Sequence, residues 1–121
     1  MGDMARPLVV KVTCGADDPE RANQALTVAA IALSAGAEVS LWLTGEAAWL
    51  GAGRGGFALP EATPAADLVA AVLAAGRVTV CTQCAARRGL GPDDLLEGVR
   101  IAGAAAYVEE VLAPDVQALV Y

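Results

Sequence analysis

The chain has 121 residues, of which 56% are hydrophobic and 18% charged, with a formal net charge of −6 and a sequence pI of about 4.4. This length fits one domain over residues 1–121, and the apolar content argues against intrinsic disorder. The negative charge argues against general binding to nucleic acid or to anionic membranes, which both need a basic surface. The chain has no histidine, which excludes intrachain Ser-His-Asp or Cys-His catalysis and imidazole metal sites.

Cysteine content and the N-terminal residues indicate the cellular compartment. Three cysteines do not form the framework of a small secreted disulfide protein. The first residues lack the basic and apolar segments of a signal peptide, and charges or glycines interrupt each apolar run before it reaches the length of a membrane span. These features favour a cytoplasmic protein with free thiols and no membrane association.

The first part of the chain has the pattern of a βαβ unit. Residues 8–13 are β-branched and apolar and form the first predicted strand. Residues 18–20 (Asp-Pro-Glu) begin a helix with Asp18 as its predicted N-cap, and Gly36 ends this helix. Residues 38–43 form the second strand, so a right-handed crossover is expected.

The remaining segments continue the alternation of strands and helices. The pattern predicts a helical turn at 44–48, a loop at 51–56, a helix at 65–75 ended by Gly76, a strand at 78–81, short helices at 84–88 and 92–97, a strand at 99–102, a helix at 103–112 and a strand at 116–121. The predicted fold class is therefore α/β, a three-layer sandwich around a mostly parallel sheet of about five strands.

The glycine-rich segment Gly51-Ala-Gly-Arg-Gly-Gly56 approximates the Gly-x-Gly-x-x-Gly pattern of dinucleotide-binding sites. That fingerprint lies between the first strand and its helix, whereas this segment follows the second strand. A mobile surface loop is the favoured interpretation. A phosphate cradle and a lid over the cysteines are the alternatives.

The segment Cys81-Thr-Gln-Cys84-Ala-Ala-Arg87-Arg88-Gly89 directly follows the third predicted strand. Ligands and reactive groups collect at the carboxyl ends of strands in an open parallel sheet. The thiolate is the reactive form of cysteine, and a helix N-terminus or a nearby arginine favours it. We therefore predict that Cys81 and Cys84 are site residues and that Arg87 or Arg88 stabilises a thiolate.

Other interpretations of this segment stay open. Zinc usually takes four ligands, and three cysteines without histidine supply too few, so no metal is predicted. A thioredoxin-like pair is a second alternative, although that fold places its motif after an early strand. The cysteines could also be buried without reacting, and the two arginines could pair with acidic residues at Asp93, Asp94 or Glu97.

Residues outside this segment receive weaker predictions. Cys14, which follows the first strand, is either a small buried residue or an accessory thiol close to Cys81. Tyr107, Glu109 and Glu110 fit ordinary helix positions and are given no role.

The quoted segments resemble the DsrE/DsrF-like family, which includes the TusD-like proteins of sulfur relay and the YchN-like proteins. The resemblance covers the first strand, residues 18–22 (Asp-Pro-Glu-Arg-Ala), residues 36–46 (Gly-Ala-Glu-Val-Ser-Leu-Trp-Leu-Thr-Gly-Glu) and residues 81–89. In this family a cysteine lies eight residues before the glycine of an Arg-Gly pair, as Cys81 lies before Gly89. YchN-like members carry a second cysteine at the place of Cys84.

The resemblance implies a single DsrE/F-like domain, cytoplasmic sulfur transfer between protein cysteines, no cofactor, and assembly into homo-trimers or hexamers. It implies a persulfide on Cys81, exchanged with sulfur donor and acceptor proteins, and Cys84 is then the resolving or second acceptor thiol. The competing hypothesis is a non-catalytic oligomeric binding protein whose Cys-x-x-Cys pair is structural or redox-regulatory. A metal-binding module is the third possibility.

Overall fold

The computed structural model describes residues 6–121 and shows five strands joined by helices. The elements in chain order are β1 (Pro7–Val12), α1 (Pro19–Ser34), β2 (Glu38–Leu43), a 3₁₀ helix (Gly45–Ala52), α2 (Ala65–Ala75), β3 (Arg77–Cys81), α3 (Thr82–Arg87), a 3₁₀ turn (Pro92–Asp94), β4 (Arg100–Ala102), α4 (Ala104–Val111) and β5 (Gln117–Val120). Residues 1–5, which the signal-peptide argument concerned, lie outside the described residues.

The sheet has the spatial order β4-β3-β2-β1-β5, and every strand pair in it is parallel. Helices lie on both sides, so the predicted α/β fold is confirmed. The sheet is entirely parallel rather than mostly parallel. Because all strands run the same way, their carboxyl ends meet at one edge, which is where the cysteine-bearing loops begin.

One face of the sheet carries the apolar core. Alternate residues along a strand point to the same face, and α1 and α2 cover this face with small and branched side chains. Small alanines allow the two helices to approach the strands closely. The core residues include Val10, Val12, Leu41, Leu43, Val78 and Val80 from the strands and Ala22, Ala25, Leu26, Ala29, Val69 and Val72 from the helices.

The start of α1 differs in one detail from the prediction. Gly36 follows the helix with a φ of +95°, as expected of a terminating glycine, and Pro19 begins it. Asp18 occupies the N-cap position, but its side chain makes no capping hydrogen bond. Its carboxylate instead pairs with Arg21 at 3.3 Å, so the predicted side-chain cap is wrong.

The glycine-rich segment is partly helical and not a loop throughout. The 3₁₀ helix runs from Gly45 to Ala52 and therefore includes Gly51, which is buried. A Cβ atom on Gly51 would lie 2.4 Å from Cγ2 of Val80, so glycine is required there for packing against β3. The exposed turn begins only at Gly53, which has a φ of +70°.

The second face of the sheet is covered by α4, and most of its polar contacts with this helix are made by one carboxylate, that of Glu110. Oε1 of Glu110 accepts hydrogen bonds from the Ser40 hydroxyl at 2.6 Å and from the indole N–H of Trp42 at 3.1 Å. Oε2 pairs with Arg100 and lies 3.5 Å from Arg77 Nη1. Glu110 therefore ties α4 to three neighbouring strands, a role that the sequence analysis did not assign to it.

The environment of Glu110 favours its ionised form. Burial opposes ionisation, but hydrogen bonds from Ser40 and Trp42 and the charge of Arg100 outweigh it, so the pKa of this carboxyl lies below its ordinary value of 4.5. The carboxylate thus stabilises the fold at neutral pH. This contribution is present above the pKa of the unfolded chain and is lost as the pH falls through the lower folded value.

Replacing Glu110 by Gln should lower the free energy of unfolding by about 2 kcal/mol at pH 7, because hydrogen bonds to a charged acceptor are lost. The difference between the variant and the wild type should shrink as the pH drops below the usual glutamate range. Urea unfolding at several pH values measures both effects. The matched control is Glu109→Gln on the same helix, whose side chain is exposed and whose loss should cost under about 0.5 kcal/mol. Equal losses in the two variants would contradict the role of Glu110.

Candidate functional site

The site lies at the carboxyl edge of the sheet, where three loops meet. Cys81 is the last residue of β3 and directly precedes α3, and Cys84 lies within α3. Cys14 follows β1 at the same edge. All three cysteines are free thiols, with Cys14 and Cys84 buried and Cys81 half-buried. Cys81 is thus the cysteine most open to a reagent.

The structure brings together the two cysteines of the Cys-x-x-Cys segment. Cys81 and Cys84 approach to 3.6 Å. The sulfur of Cys84 also accepts a hydrogen bond from the backbone N–H of Gly45 at 3.2 Å. Gly45 has a φ of +55°, and a Cβ there would lie 2.6 Å from the carbonyl oxygen of Thr13. Only glycine fits this close approach, so the loops after β1 and β2 hold Cys84 in place.

Cys81 is poised toward its thiolate form. Burial raises the pKa of the Cys81 thiol, but four other influences outweigh it, and the pKa lies below the ordinary value of 9.0. Hydrogen bonding from the Cys84 backbone N–H, the Cys84 thiol and the Gln83 backbone N–H favours the thiolate, and so does the positive charge of Lys11. Cys81 therefore combines partial exposure with surroundings that favour its thiolate, and Cys84 acts as a donor to it.

The two arginines of the segment donate their hydrogen bonds to oxygen atoms. Arg88 donates to Oε2 of Glu46 at 2.6 and 3.0 Å and to the carbonyl oxygen of Cys84 at 3.1 Å. Arg87 contacts Oε1 of Gln83 at 3.4 Å. Arg88 thus ties α3 to the 3₁₀ helix after β2. A role for either arginine in stabilising a thiolate stays a prediction.

Cys14 occupies a different environment from the pair. Burial raises the pKa of the Cys14 thiol, and the carboxylates of Asp18 and Asp17 raise it further against the opposing charge of Arg21. The strand β2 separates β1 from β3, so the ends of these two strands are about 10 Å apart. The accessory-thiol role of Cys14 also stays a prediction.

The structure places two residues at this edge that sequence reasoning missed. Lys11 lies in β1, with its ammonium 4.9 Å from the centre of the Tyr107 ring. Tyr107, on α4, packs edge-on against the buried Trp42 with ring centres 5.3 Å apart. One feature of the sequence could have indicated this arrangement, because Lys11 is the only lysine of the chain and lies as a lone charge within an apolar strand.

Residues 6–121 contain no group of three or more cysteine or acidic side chains arranged to hold a metal ion. Within the same range, no helix has the length and apolar character needed to cross a membrane.

A model of the DsrE/DsrF-like family matches residues 8–116. The chain belongs to this family. Its structure is similar to that of the ychN protein from E. coli, with a TM-score of 0.80 and 20% identity, over 96% of this chain and 99% of that one. It is also similar to a protein of unknown function, MTH1491 from Methanobacterium thermoautotrophicum, with a TM-score of 0.66 and 13% identity, over 98% and 100% of the two chains.

At these identities the structural likeness shows the fold alone. No curated protein matched the sequence. The match to the family model confirms the DsrE/DsrF-like resemblance of the sequence. The roles of individual side chains are argued from the geometry of this chain.

Cys81 should react with iodoacetamide faster than Cys14 or Cys84 near neutral pH, because its pKa is lowered and it is the most exposed of the three. The variant Cys84→Ala should raise the pKa of Cys81, since a donor to the thiolate is lost. Peptide mass spectrometry of the alkylated protein, followed against pH, measures both effects.

Arg87→Gln is the control, because the Arg87 guanidinium is hydrogen-bonded to Oε1 of Gln83. A rise in the pKa of Cys81 in this control would instead support the predicted thiolate-stabilising role of Arg87. An unchanged pKa in Cys84→Ala would contradict the donor role of Cys84.

Proposed function

We propose that this protein is a cytoplasmic sulfur carrier that holds a persulfide on Cys81. The observation that carries the proposal is a half-buried thiol of lowered pKa at the carboxyl end of β3, with a second cysteine, Cys84, approaching to 3.6 Å. Membership of a family known for sulfur relay supports it. We assign no resident cofactor or metal to this function.

In the loading step the Cys81 thiolate attacks the outer sulfur of a donor persulfide. A new sulfur–sulfur bond forms at Cys81, the donor's sulfur–sulfur bond breaks, and the donor leaves as a thiolate with the electron pair. No oxidant is required, because the transferred sulfur already has the oxidation state of sulfane sulfur in the donor persulfide. The backbone N–H groups of Gln83 and Cys84 favour the thiolate that starts this step.

Cys84 serves as the resolving or second acceptor thiol. As a thiolate it could attack either sulfur of the Cys81 persulfide. Attack on the outer sulfur moves the persulfide to Cys84, whereas attack on the inner sulfur forms a Cys81–Cys84 disulfide and releases hydrosulfide. In the resting protein Cys84 is buried and its sulfur accepts a hydrogen bond from the Gly45 backbone, so both internal reactions require this contact to open first.

Intact-mass spectrometry after exposure to a persulfide donor tests the proposal. Wild-type protein should gain one sulfur atom in a form that reductant removes, and Cys81→Ser should lose this gain. Cys84→Ser and Cys14→Ser should keep it. Absence of the gain in wild-type protein would contradict a carrier function.

A dithiol switch is the competing function, favoured by the 3.6 Å approach of the two cysteines. The same mass measurement separates the two proposals. A mass decrease of two hydrogens without any gain of sulfur would support an oxidised Cys-x-x-Cys pair in a binding protein, provided that the decrease requires both Cys81 and Cys84. Arg88, which holds α3 against Glu46, would then position the disulfide and have no part in stabilising a thiolate.

We further propose that the carrier acts as a homo-trimer or homo-hexamer and exchanges sulfur with donor and acceptor proteins. Apolar side chains are exposed on α4, at its C-cap and on β5, namely Val108 (47%), Leu112 (77%) and Val120 (62%). Exposed apolar side chains on a short helix and an edge strand are typical of surfaces covered by another subunit.

Replacing Leu112 by Glu should weaken this assembly, because a charge would be placed in the apolar contact. Sedimentation velocity at micromolar concentration should show an oligomer for wild-type protein and a smaller species for the variant. Ile31→Glu, at an equally exposed apolar residue on α1, is the matched control. A monomeric wild-type protein would overturn the proposal of a homo-oligomer.

A further inference from the structure

We propose that Lys11 and Tyr107 form an anion-binding subsite on the sheet face that Cys81 shares, which receives the negatively charged end of a small sulfane-sulfur donor. Thiosulfate is the simplest compound of this class. The inference rests on the proposed function in assigning the ligand to sulfur transfer. The subsite itself rests on the arrangement of Lys11, Tyr107 and Cys81.

The strand register places Lys11 and Cys81 on one face of the sheet. Lys11 pairs with Trp42 of β2, and Trp42 pairs with Thr79 of β3. Cys81 lies two residues after Thr79, so its side chain points to the same face as that of Lys11. This face is the one covered by α4, and the ammonium of Lys11 acts on the Cys81 thiol across it.

Tyr107 holds the ammonium in place. The Lys11 Nζ atom lies 4.9 Å from the centre of the Tyr107 ring, within the range of a cation–π contact. Packing of Tyr107 against Trp42 fixes the ring. A cation over a ring face uses no hydrogen-bond acceptor, so the N–H groups of Lys11 stay available to an anion. Burial and the charge of Glu110 raise the pKa of the Tyr107 phenol, which therefore stays protonated and able to donate.

Most of the other cations near this edge are paired with carboxylates. Arg88 is bonded to Glu46, Arg100 and Arg77 are bonded to Glu110, and Arg87 is the exception, with a hydrogen bond to the neutral side chain of Gln83. Within residues 6–121 no carboxylate forms an ion pair with Lys11. Lys11 therefore supplies the positive charge that an incoming anion would meet near Cys81.

An anionic donor needs this charge for a physical reason. The nucleophile is a thiolate, and the chain carries a net charge of −6, so both repel an approaching anion. In the reaction with thiosulfate, the Cys81 thiolate attacks the outer sulfur and forms a new sulfur–sulfur bond. The sulfur–sulfur bond of thiosulfate breaks, and sulfite leaves with the electron pair. The Lys11 ammonium offsets the charge of both the donor and the departing sulfite.

Two alkylating reagents of similar shape test the subsite without any sulfur donor. Iodoacetate carries a carboxylate and iodoacetamide a neutral amide. The measured quantity is the rate constant for iodoacetate at Cys81 divided by that for iodoacetamide. We expect Lys11→Met to lower this ratio by about fivefold, the effect of one nearby charge in a partly aqueous site. Each ratio is taken on the plateau of the pH–rate profile, where Cys81 is fully ionised, so that a change in its pKa cancels.

Conservative and charge-matched variants complete the design. Lys11→Arg should keep the wild-type ratio, and Tyr107→Leu should lower it because the ammonium loses its support. Arg54→Met removes one positive charge from an arginine that stacks on Trp49 instead, and should leave the ratio unchanged. An equal fall in Arg54→Met and Lys11→Met, or no fall in Lys11→Met, would overturn the subsite.

Incubation with thiosulfate then connects the subsite to sulfur transfer. Wild-type protein should form the Cys81 persulfide faster than Lys11→Met does, as followed by intact mass. A lowered alkylation ratio without persulfide from any donor would leave the subsite standing and remove the carrier function. Equal persulfide formation in the two proteins with an unchanged ratio would remove the subsite and leave the carrier function standing.

Discussion

The carboxylate of Glu110 is the contact on which the second face of the sheet depends. It accepts hydrogen bonds from two residues of β2 and pairs with arginines of β3 and β4, so that one side chain connects α4 to three strands. Tyr107 lies one helical turn before it and is thereby set against Trp42 and Lys11. The position of the Tyr107 ring therefore follows from an interaction that α4 makes one helical turn further along.

The three cysteines show how backbone position decides the chemistry of one residue type. Cys14 lies in the apolar core, and its burial together with the nearby charges of Asp18 and Asp17 disfavours its thiolate. Cys81 ends a strand and meets the N–H groups of the following turn together with the charge of Lys11. Cys84 is covered and bonded to the Gly45 backbone. Only Cys81 combines partial exposure with an environment that favours the negative charge.

Much of the fold could be predicted from the sequence, because its signals are local. The β-branched runs, Pro19 and Gly36 mark elements through their own backbone preferences. The cysteine pair could be placed at the carboxyl edge, since a parallel sheet brings all such strand ends together. The register of the sheet and the spatial order of its strands required the structure.

The features that could not be predicted depend on distant neighbours. Glu110 resembles a solvated helix residue until Ser40, 70 positions away, is known to contact it. Gly51 resembles a loop glycine until Val80 is seen to occupy the space of its missing side chain. Asp18 matches a capping residue, yet Arg21 competes successfully for its carboxylate. In each case a tertiary contact overrides a local preference.

The small buried surface of α4 affects the dynamics of this helix. None of its residues is fully buried, whereas α1 and α2 each place several residues in the apolar core. Elements with few buried apolar contacts open at lower free energy than the rest of a fold, and their amide hydrogens exchange earlier. Because Glu110 alone connects α4 to three strands, we expect the amide hydrogens of α4 to exchange before those of α1 and α2, and the edge that carries Cys81 to be more dynamic on the side of α4.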